Sequence, residues 1–293
     1  MIGMVIVNYN DYKNTIKFIE SILSYKIIEH IVIVDNCSTD NSVKEIEKIC
    51  NNKIKLIKNI SNKGYGSGIN LGSKYLIEHY DVKYIIVSNT DIIINCEEDL
   101  KTLLSFMRNN IAIIGPTILE NGDINRGWTV PSVVVDCLLN LPIIHRKIRK
   151  KLLFYKNDAY NSDKTVVEAV SGCFFIINAK AFVDVDFFDE NIFLYYEENV
   201  IASKLKAKNY QNLIINNVKV IHNHSVTIDK SFNRIKKFKV LKKSQRYFHK
   251  TYSKASIIGL LFLFITYKFM LLLLYISCFF HKLKHRWEKI III

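Results

Sequence analysis

Short apolar segments alternate with helix-like segments from the N-terminus onward, and this alternation constrains the fold more than any other feature. Four largely apolar runs of strand length occur at residues 3–7, 30–34, 54–57 and 84–87. The segments between them carry apolar side chains at helical spacing, at residues 11–25, 41–50 and 68–79. This order predicts an α/β domain with a mostly parallel central sheet and helices on both faces.

Polar residues stand directly after each predicted strand. The stretch 84-YIIVSNTDIIIN-95 shows the pattern most clearly, because a carboxylate, Asp91, separates two apolar runs without the Gly or Pro of a surface turn. In parallel sheets, ligands bind beyond the carboxyl ends of the strands. We therefore expect the polar clusters to converge on one rim, at residues 8–10, 35–40, 59–70 and 88–91.

Two of these clusters suggest a nucleotide site. Asp35 and Asn36 follow the second strand, where a carboxylate can accept hydrogen bonds from a ribose or a pyrimidine N–H. Helix capping is the alternative, and it explains Asp40 better than Asp35. Residues 62–72 place glycines at alternate positions, which favours close ligand approach or a tight turn. The pattern matches neither a dinucleotide fingerprint nor a Walker A loop.

Three further groups carry candidate chemistry, each with a simpler alternative. Asn89-Thr90-Asp91 offers oxygen ligands for Mg²⁺ or Mn²⁺. Glu197-Glu198 opens a predicted helix with an apolar face, so either the macrodipole explains the acids or one of them is a general base. His222 and His224 end a strand-like run, where histidines are more often structural than ligands.

The positive charge is confined to the C-terminal segment. The chain of 293 residues has a net charge of +14, and residues 231–293 hold 14 of its 41 Lys and Arg residues but a single acid, Glu288. Their net charge is +13, so the other 230 residues are nearly neutral. A basic tail predicts an anionic partner, and the neutral body disfavours nucleic-acid binding.

This tail encloses an apolar block of 26 residues, 255–280, between basic flanks. About 20 apolar residues suffice to span a bilayer. However, Lys268 lies near the centre, where a charge costs roughly 2.5–3.5 kcal/mol, and basic flanks prefer the cytosolic side. We therefore expect a re-entrant or interfacial hairpin at an anionic membrane rather than a single span. The alternative is a buried helix pair at a homodimer interface.

The N-terminus and the cysteines favour the cytoplasmic face of the plasma membrane. The opening residues, MIGMVIVNYND, lack the basic region and long apolar run of a signal peptide. The six cysteines are scattered without a C-x-x-C pair, which argues against a zinc site or a disulfide framework.

Seven motifs follow one another over roughly residues 2–250: VNYN, VDNCSTD, NKGYGSGIN, SNTD, SGCFF, FDENIFLYYEEN and H-x-x-S-x-T. This ordered set resembles glycosyltransferase family 2, most closely its bacterial rhamnosyltransferase-like branch. The resemblance implies a GT-A fold and an inverting transfer from a nucleotide-diphosphate sugar, such as dTDP-rhamnose or a UDP-sugar, with Mg²⁺ or Mn²⁺. It also implies a glycan or polyprenyl-diphosphate-linked acceptor in the synthesis of bacterial surface polysaccharide.

Carried over by position, the resemblance assigns roles to individual residues. The base and ribose site and the rest of the nucleotide pocket would use Val7, Tyr9, Asp35, Asn36, Asn62, Gly64, Asn70, Asn89 and Thr90. The metal would be held by Asp91 and approached by His222. Glu198 would be the catalytic base, with Glu197 beside it. Residues 1–230 would form the catalytic domain, with a nucleotide half to about residue 110 and an acceptor half after it, and residues 231–293 the membrane tail.

The sequence departs from the family pattern at the catalytic base and at a residue close to it. Glu198 stands where Asp is usual, and Val200 replaces an acid usually found two residues later. A glutamate can serve as a base of similar pKa. These departures keep a second interpretation open, a membrane-bound pseudoenzyme that acts as a scaffold. The predicted cation and nucleotide sites, taken alone, also fit a nucleotidyltransferase.

Overall fold

The computed structural model describes residues 1–141, 149–223 and 234–291, with side chains described up to Phe279. The strands are β1 (Ile2–Asn8), β2 (His30–Asp35), β3 (Ile54–Lys58), β4 (Tyr84–Ser88), β5 (Ile92–Ile93), β6 (Ile111–Glu120), β7 (Asp123–Asn125), β8 (Lys164–Val167), β9 (Phe174–Asn178) and β10 (Gln211–His222). The helices are α1 (Tyr12–Ile22), α2 (Ser42–Glu47), α3 (Tyr65–Tyr80), α4 (Glu97–Ser105), α5 (Val133–Leu139), α6 (Ala179–Asp184), α7 (Glu197–Ala207), α8 (Arg234–Thr251) and α9 (Ile257–Ile291). A 3₁₀ turn covers Asn157–Tyr160.

The strands form one sheet in the order β3-β2-β1-β4-β9-β6-β10-β5. The four strands predicted from the sequence are present, and they pair in parallel. In the second half, β9 is antiparallel to both of its neighbours, whereas β6 and β10 pair in parallel. The expected parallel sheet therefore describes the first half, and the whole sheet is mixed.

Both faces of the sheet are covered by helices. Met4 and Ile6 of β1 pack in a cluster with apolar residues of α1, α2 and α4. Val5 points to the other face and packs with residues of α3, α6 and α7. Because both faces are buried, the strands read as continuous apolar runs rather than as alternating ones.

Glycines bring α3 close to the sheet. A Cβ on Gly72 would lie 2.6 Å from Val5 Cγ1, and one on Gly68 would lie 2.9 Å from Val7 Cγ2. Helix α3 already begins at Tyr65, so these glycines lie inside the helix and not in a ligand loop. Among the glycines of residues 62–72, Gly64 alone has a positive φ, +107°, as expected of a tight turn.

Helix α8 is fastened to the segment that leads into α7. Ser244 Oγ donates a hydrogen bond to the carbonyl of Leu194 over 2.8 Å. The hydroxyls of Tyr247 and Tyr252 both donate to Asp189 Oδ2, over 2.8 and 2.6 Å. The basic tail is therefore packed on the body from its first described helix onward.

Helix α9 lies alongside α8 and α5. Asn140, just after α5, donates to Thr266 Oγ1 over 3.0 Å, and Lys239 Nζ lies 5.7 Å from the ring centroid of Tyr275. One face of α9 is buried at Leu263, Leu271 and Leu274. The opposite face exposes large apolar side chains, at Ile258, Phe262, Ile265, Phe269, Leu272, Ile276 and Phe279.

The prediction of a hairpin within residues 255–280 is wrong. The helix is continuous over its 35 residues, and Ile257–Phe279 is long and apolar enough to cross a membrane. No Gly or Pro occurs between residues 260 and 291, so the sequence offers no residue that would break the helix. Lys268 is exposed, and its Nζ lies 5.2 Å from the ring centroid of Phe264.

Candidate functional site

Asp35 organises the end of β2. Its Oδ2 accepts a hydrogen bond from Asn8 Nδ2 over 2.8 Å, and its Oδ1 accepts one from the backbone N–H of Ser38 over 2.9 Å. The carboxylate is buried. Asp40 precedes α2, and its Oδ1 accepts from the backbone N–H of Ser42, while the N-cap residue Asn41 makes no side-chain cap hydrogen bond. Asp40 therefore contacts the start of the helix, whereas Asp35 lies at the end of β2.

The residues predicted to complete the nucleotide pocket meet beside Asp35. Asn36 Nδ2 donates to the carbonyl of Gly64 over 2.9 Å and to Asn62 Oδ1 over 3.3 Å. Val7 and Tyr9, at the end of β1, are partly exposed. The ends of β1 and β2 and the segment before α3 therefore form one rim.

Asn70 does not join this rim. Its Nδ2 donates to the carbonyl of Phe188 and to Glu190 Oε1, and its Oδ1 accepts from the Phe188 N–H. The side chain is buried, and both amide protons are used within the protein. The nucleotide contact implied by the resemblance is therefore replaced here by a structural bond between α3 and residues 188–190.

Asp91 and His222 are brought together by the sheet. The short strand β5 follows Asp91 and pairs with the end of β10, so that Ile92 is opposite His222. His222 Nε2 lies 3.3 Å from Asp91 Oδ1, and its Nδ1 lies 3.4 Å from Glu120 Oε1. Burial alone would lower the pKa of His222, but its hydrogen bonds and ion pairs with the two carboxylates raise it. His224 lies outside the described residues.

This pair fits a cation that shares its coordination with a ligand. Within residues 1–141, 149–223 and 234–291, no group of three His, Cys, Asp or Glu side chains has metal-binding geometry. Mg²⁺ and Mn²⁺ do not need such a cage, because substrate phosphates and water complete their coordination. Asp91 and His222 would be the protein ligands, and Glu120 would orient the imidazole through its other nitrogen. Asn89 and Thr90 flank them at the rim, partly exposed.

Glu198 is held by the segment that precedes β9. The backbone N–H of Gly172 donates to Glu198 Oε1 over 3.2 Å, and the Gly172 carbonyl accepts from the Tyr65 hydroxyl over 2.9 Å. Tyr65 is the first residue of α3, directly after the turn at Gly64. Gly172 therefore links Glu198 to the start of α3, beside the rim formed by the ends of β1 and β2.

The charges of Asp91 and Glu198 both act on Tyr65 and Cys173, although the two acids come from different halves of the chain. Burial raises the pKa of Tyr65 well above its ordinary value, and the negative charges of Glu198 and Asp91 act in the same direction. Burial likewise raises the pKa of the Cys173 thiol to about 12, again with contributions from Asp91 and Glu198. The backbone N–H of Asn89, two residues before Asp91, donates to the Cys173 carbonyl over 2.8 Å, so residues 172 and 173 connect the segment of Asp91 to Glu198.

The two adjacent glutamates differ in environment. Glu197 is 6% exposed, and its Oε1 is buried without a hydrogen-bond partner among the described residues. Burial raises its pKa well above the ordinary value, and the charge of Glu198 adds to this. Glu198 is only partly buried and lines a cavity, and burial raises its pKa as well. The carboxylate accessible to a substrate is therefore that of Glu198.

Val200 has a structural explanation. Its side chain is fully buried in a small cluster with Ile192 and with Phe248 of α8. A carboxylate at this position would be buried against the tail helix. The departure from the family pattern therefore follows from the packing of α8 on α7.

The cavity beside Glu198 has a volume of about 420 Å³ and lies among α5, α7 and α8. Its walls combine aromatic, amide and charged side chains, including Trp128, Tyr195, Asn199, Arg149 and Lys242. Trp128 Nε1 donates to Asn199 Oδ1 over 2.9 Å, which fixes the indole. A volume of this size suits a small ligand.

Sequence reasoning missed several residues of this site. Glu120 ends a strand that was not predicted, and Trp128, Asp136 and Lys242 stand in no motif. Gly172 is part of the quoted SGCFF motif, but nothing local indicates that its N–H would meet Glu198. These contacts join residues far apart in the chain, so periodicity carries no signal for them.

A model of the family described as "Glycosyl transferase family 2" matches residues 4–185. The low-salt glycan biosynthesis hexosyltransferase Agl10 of Haloferax volcanii is 27% identical over 232 residues, covering 77% of this chain and 68% of that protein.

Two solved structures are similar in fold. GalNAc-T7 with UDP, GalNAc and Mn²⁺ superposes with a TM-score of 0.58 at 14% identity, over 76% of this chain and 43% of that longer chain. The mannosyltransferase PcManGT from Pyrobaculum calidifontis, with GDP-mannose and Mn²⁺, gives a TM-score of 0.56 at 11% identity, over 92% of this chain and 71% of that chain. At these identities the likeness establishes the GT-A fold that the sequence predicted.

Proposed function

This chain belongs to glycosyl transferase family 2, and we propose that it transfers a sugar from a nucleotide-diphosphate donor to an acceptor hydroxyl with inversion at the anomeric carbon. The observation that carries this proposal is that two adjacent residues contact both acidic segments. The Gly172 N–H donates to Glu198 Oε1 over 3.2 Å, and the Cys173 carbonyl accepts from the N–H of Asn89, two residues before Asp91, over 2.8 Å. A single in-line displacement needs a base on the face of the sugar opposite the leaving diphosphate. Two acids from different halves of the chain suit these two positions.

Glu198 is proposed as the base that removes the proton of the acceptor hydroxyl. The Gly172 N–H fixes its Oε1, and the side chain is partly exposed and lines the cavity, where its carboxylate can meet the acceptor hydroxyl. Burial raises the pKa of this carboxyl, which makes the carboxylate a stronger base. Glu197 is buried and is proposed to act through its neighbour rather than by touching the substrate.

Asp91 and His222 are proposed to bind Mg²⁺ or Mn²⁺ together with the donor diphosphate. A divalent cation supplies positive charge that stabilises the nucleoside diphosphate as it departs. The rim of Val7, Tyr9, Asp35, Asn36, Asn62 and Gly64, with Asn89 and Thr90, is proposed as the nucleotide site. The donor is proposed to be dTDP-rhamnose or a UDP-sugar. The part up to about residue 110 would bind it, and residues 111–230 would bind the acceptor.

The acceptor is proposed to be a glycan or a polyprenyl-diphosphate-linked sugar at the cytoplasmic face of the plasma membrane, in bacterial surface polysaccharide synthesis. The exposed apolar face of α9 and the basic residues of α8 support attachment to an anionic bilayer. A second copy of the chain fits this face less well, because two tails of net charge +13 would repel each other.

The neighbours of α9 favour a helix that lies in the membrane plane. Lys239 and Arg246 of α8 contact the rings of Tyr275 and Phe264, which are eleven residues apart along α9. If α9 crossed the bilayer, these cations would be carried into the hydrocarbon, where each charge is costly. With α9 in the plane, its exposed apolar face enters the lipid while α8 remains on the aqueous side.

Release of nucleoside diphosphate tests the activity. The detergent-solubilised full-length protein would be incubated with a panel of nucleotide-sugars and Mn²⁺ or Mg²⁺. We expect one donor to be turned over, and we expect this activity to be lost in Asp91→Ala. The matched control is Asp123→Ala, because Asp123 is exposed on β7 outside the site.

Three outcomes would contradict the proposal. Failure to bind any nucleotide would remove its basis. Release of inorganic diphosphate from a nucleoside triphosphate would identify a nucleotidyltransferase instead. Tight nucleotide binding without turnover, with or without a broad panel of lipid-linked acceptors, would indicate a pseudoenzyme scaffold.

A further inference from the structure

The cavity beside Glu198 has one wall from the tail and carries two cations. Lys242 comes from α8, and Arg149 precedes the 3₁₀ turn; both line the cavity. The tail helix lies beyond residues 4–185, the part of the chain that the family model matches. The cavity is therefore completed by a part of the chain that family membership does not describe.

Lys242 has a donor to spare for a ligand. Its Nζ donates to Asn140 Oδ1 and, over 2.9 Å, to Gln245 Oε1. An ammonium group has three protons, so these two amide oxygens leave one. Neither amide carries a charge, and burial lowers the pKa of Lys242 to about 8. A bound anion would supply the missing counter-charge.

The acidic groups of the cavity fill this role only in part. The negative charge of Asp136 acts to raise the pKa of Lys242, but the effect of burial is larger. Asp136 Oδ2 is bonded to other groups: it accepts a hydrogen bond from the Tyr196 hydroxyl and lies 2.6 Å from Nε2 of the fully buried His249. Glu198 is held by Gly172. Among the described lining residues, Lys242 and Arg149 are thus the groups suited to a phosphate.

The remaining walls suit a sugar. Trp128 and Tyr195 line the cavity with aromatic rings, and Asn199, whose Oδ1 accepts from Trp128, lines it with an amide suited to hydroxyl groups. Tyr196, at the start of α7, is bonded to both Asp136 and Gln245, which fixes this wall. The cavity therefore combines sugar-binding chemistry, two cations and the proposed base.

We propose that this cavity binds the acceptor, and that Lys242 and Arg149 bind a phosphate group through which the acceptor sugar is linked to a lipid. This assignment rests on the proposed function for the role of Glu198. Helix α8, which supplies Lys242, packs on α9, so a lipid-linked acceptor can reach the cavity from the membrane surface. The two cations would then select anionic acceptors over neutral glycosides.

Binding of lipid diphosphate to the full-length protein tests the site without requiring turnover. The probes are farnesyl diphosphate, farnesol and inorganic diphosphate, measured by calorimetry in detergent with EDTA present to suppress cation-dependent binding at Asp91. We expect farnesyl diphosphate to bind at least tenfold more tightly than either other probe. Lys242→Met and Arg149→Gln should each weaken it by about tenfold.

Three variants keep the result interpretable. Lys243→Met removes an exposed lysine from the same helix and should bind like the unmodified protein. Arg149 is exposed, so Arg149→Gln should fold even if Lys242→Met does not. Lys242→Arg retains the charge and should retain most of the affinity.

The outcomes separate this inference from the proposed function. Unchanged binding in Arg149→Gln and Lys242→Met would overturn the site, as would equal binding of farnesol. Equal binding of inorganic diphosphate would also overturn it, leaving a site for free anions. If lipid diphosphate binds as expected but no donor is ever turned over, the site stands and the proposed transferase activity fails.

Discussion

The backbone N–H of Gly172 donates a hydrogen bond over 3.2 Å to Oε1 of Glu198, and this contact connects the loop before β9 to the start of α7. The Gly172 carbonyl accepts from Tyr65, so the same residue joins α3 to the arrangement. A short peptide segment therefore fixes the carboxylate that we propose as the base. The first prediction follows from the space around it.

Gly172→Ala should reduce activity without unfolding the protein. A Cβ at this position would lie 2.8 Å from Glu198 Oε1, and the glycine does not have a positive φ that would strain an alanine. The carboxylate is the end of a flexible side chain, so it should move rather than the backbone. We expect kcat to fall by about 10- to 100-fold, since small displacements of reacting groups cost this much. Steady-state kinetics beside a thermal melt would check it, and a variant with unchanged kcat would refute it.

Glu198→Gln should remove the base while retaining the donor site. We expect kcat to fall by about 10²- to 10⁴-fold, the usual contribution of a general base. The KM for the donor should change little, because the nucleotide rim lies on other elements. A loss confined to donor KM would instead show that Glu198 binds the nucleotide-sugar.

Glu197→Gln should change how stability depends on pH. Burial raises the pKa of Glu197 in the folded protein, so the folded state binds its proton more tightly than the unfolded state does. The ionised carboxyl therefore lowers the free energy of unfolding. This loss is absent below the unfolded pKa of about 4.3, and it grows as the pH rises toward and through the raised folded pKa. We expect Glu197→Gln to melt higher than the unmodified protein at pH 7–8 and the difference to vanish near pH 4. Parallel melting curves at all pH values would contradict this.

Val200→Asp should destabilise the protein although it restores the acid usual in the family. The side chain is fully buried between Ile192 and Phe248, so a carboxylate there would be unpaired. We expect a loss of about 4 kcal/mol or more in the free energy of unfolding. Val200→Ala, which only shortens the side chain, should cost about 2 kcal/mol. Denaturant titration of both variants would test this, and a stable Val200→Asp would show that α8 does not pack as described.

Helix α9 should bind anionic vesicles in the membrane plane. We expect flotation with vesicles containing anionic lipid, weakened in Phe262→Glu and Phe269→Glu, which add charge to the exposed face. Ile60→Glu is the control, because Ile60 is an even more exposed apolar residue but lies on the body.

Thiol labelling would distinguish the in-plane arrangement from a crossing helix. Cysteines at positions 254 and 289, in a chain whose native cysteines are replaced by serine, should both react with an impermeant maleimide added outside sealed vesicles. Protection of position 289 alone would mean that α9 crosses the bilayer.

The sequence predicted the first half of the fold because its signals are local. The four strands β1 to β4 and the helices between them follow from runs and spacings within 5 to 15 residues. The first residue of α3 was placed too late, because its glycines look like a loop in isolation. In the structure these glycines are helix residues, and Gly72 and Gly68 lie where α3 packs closely against Val5 and Val7.

The tail shows a second limit of predicting structure from the sequence. Charge and hydropathy located an apolar block between basic flanks, and the structure contains a long apolar helix there. The hairpin was inferred from the cost of Lys268 and of translocating a flank. The absence of a helix breaker decided the local structure instead, and contacts with α5 and α8 decided which face of the helix is exposed.

The sequence by itself determined the family, the GT-A fold and the identities of Asp91, His222 and Glu198 as candidate residues, because motif order and local periodicity are written along the chain. Tertiary structure alone decided that the segments of Asp91 and Glu198 meet at residues 172 and 173, that both amide protons of Asn70 are bonded to Phe188 and Glu190, and that Val200 belongs to the packing of α8 on α7. Each of these depends on which distant segments become neighbours. That choice is made by the free energy of burying the whole set of apolar surfaces together, which no local stretch of residues encodes.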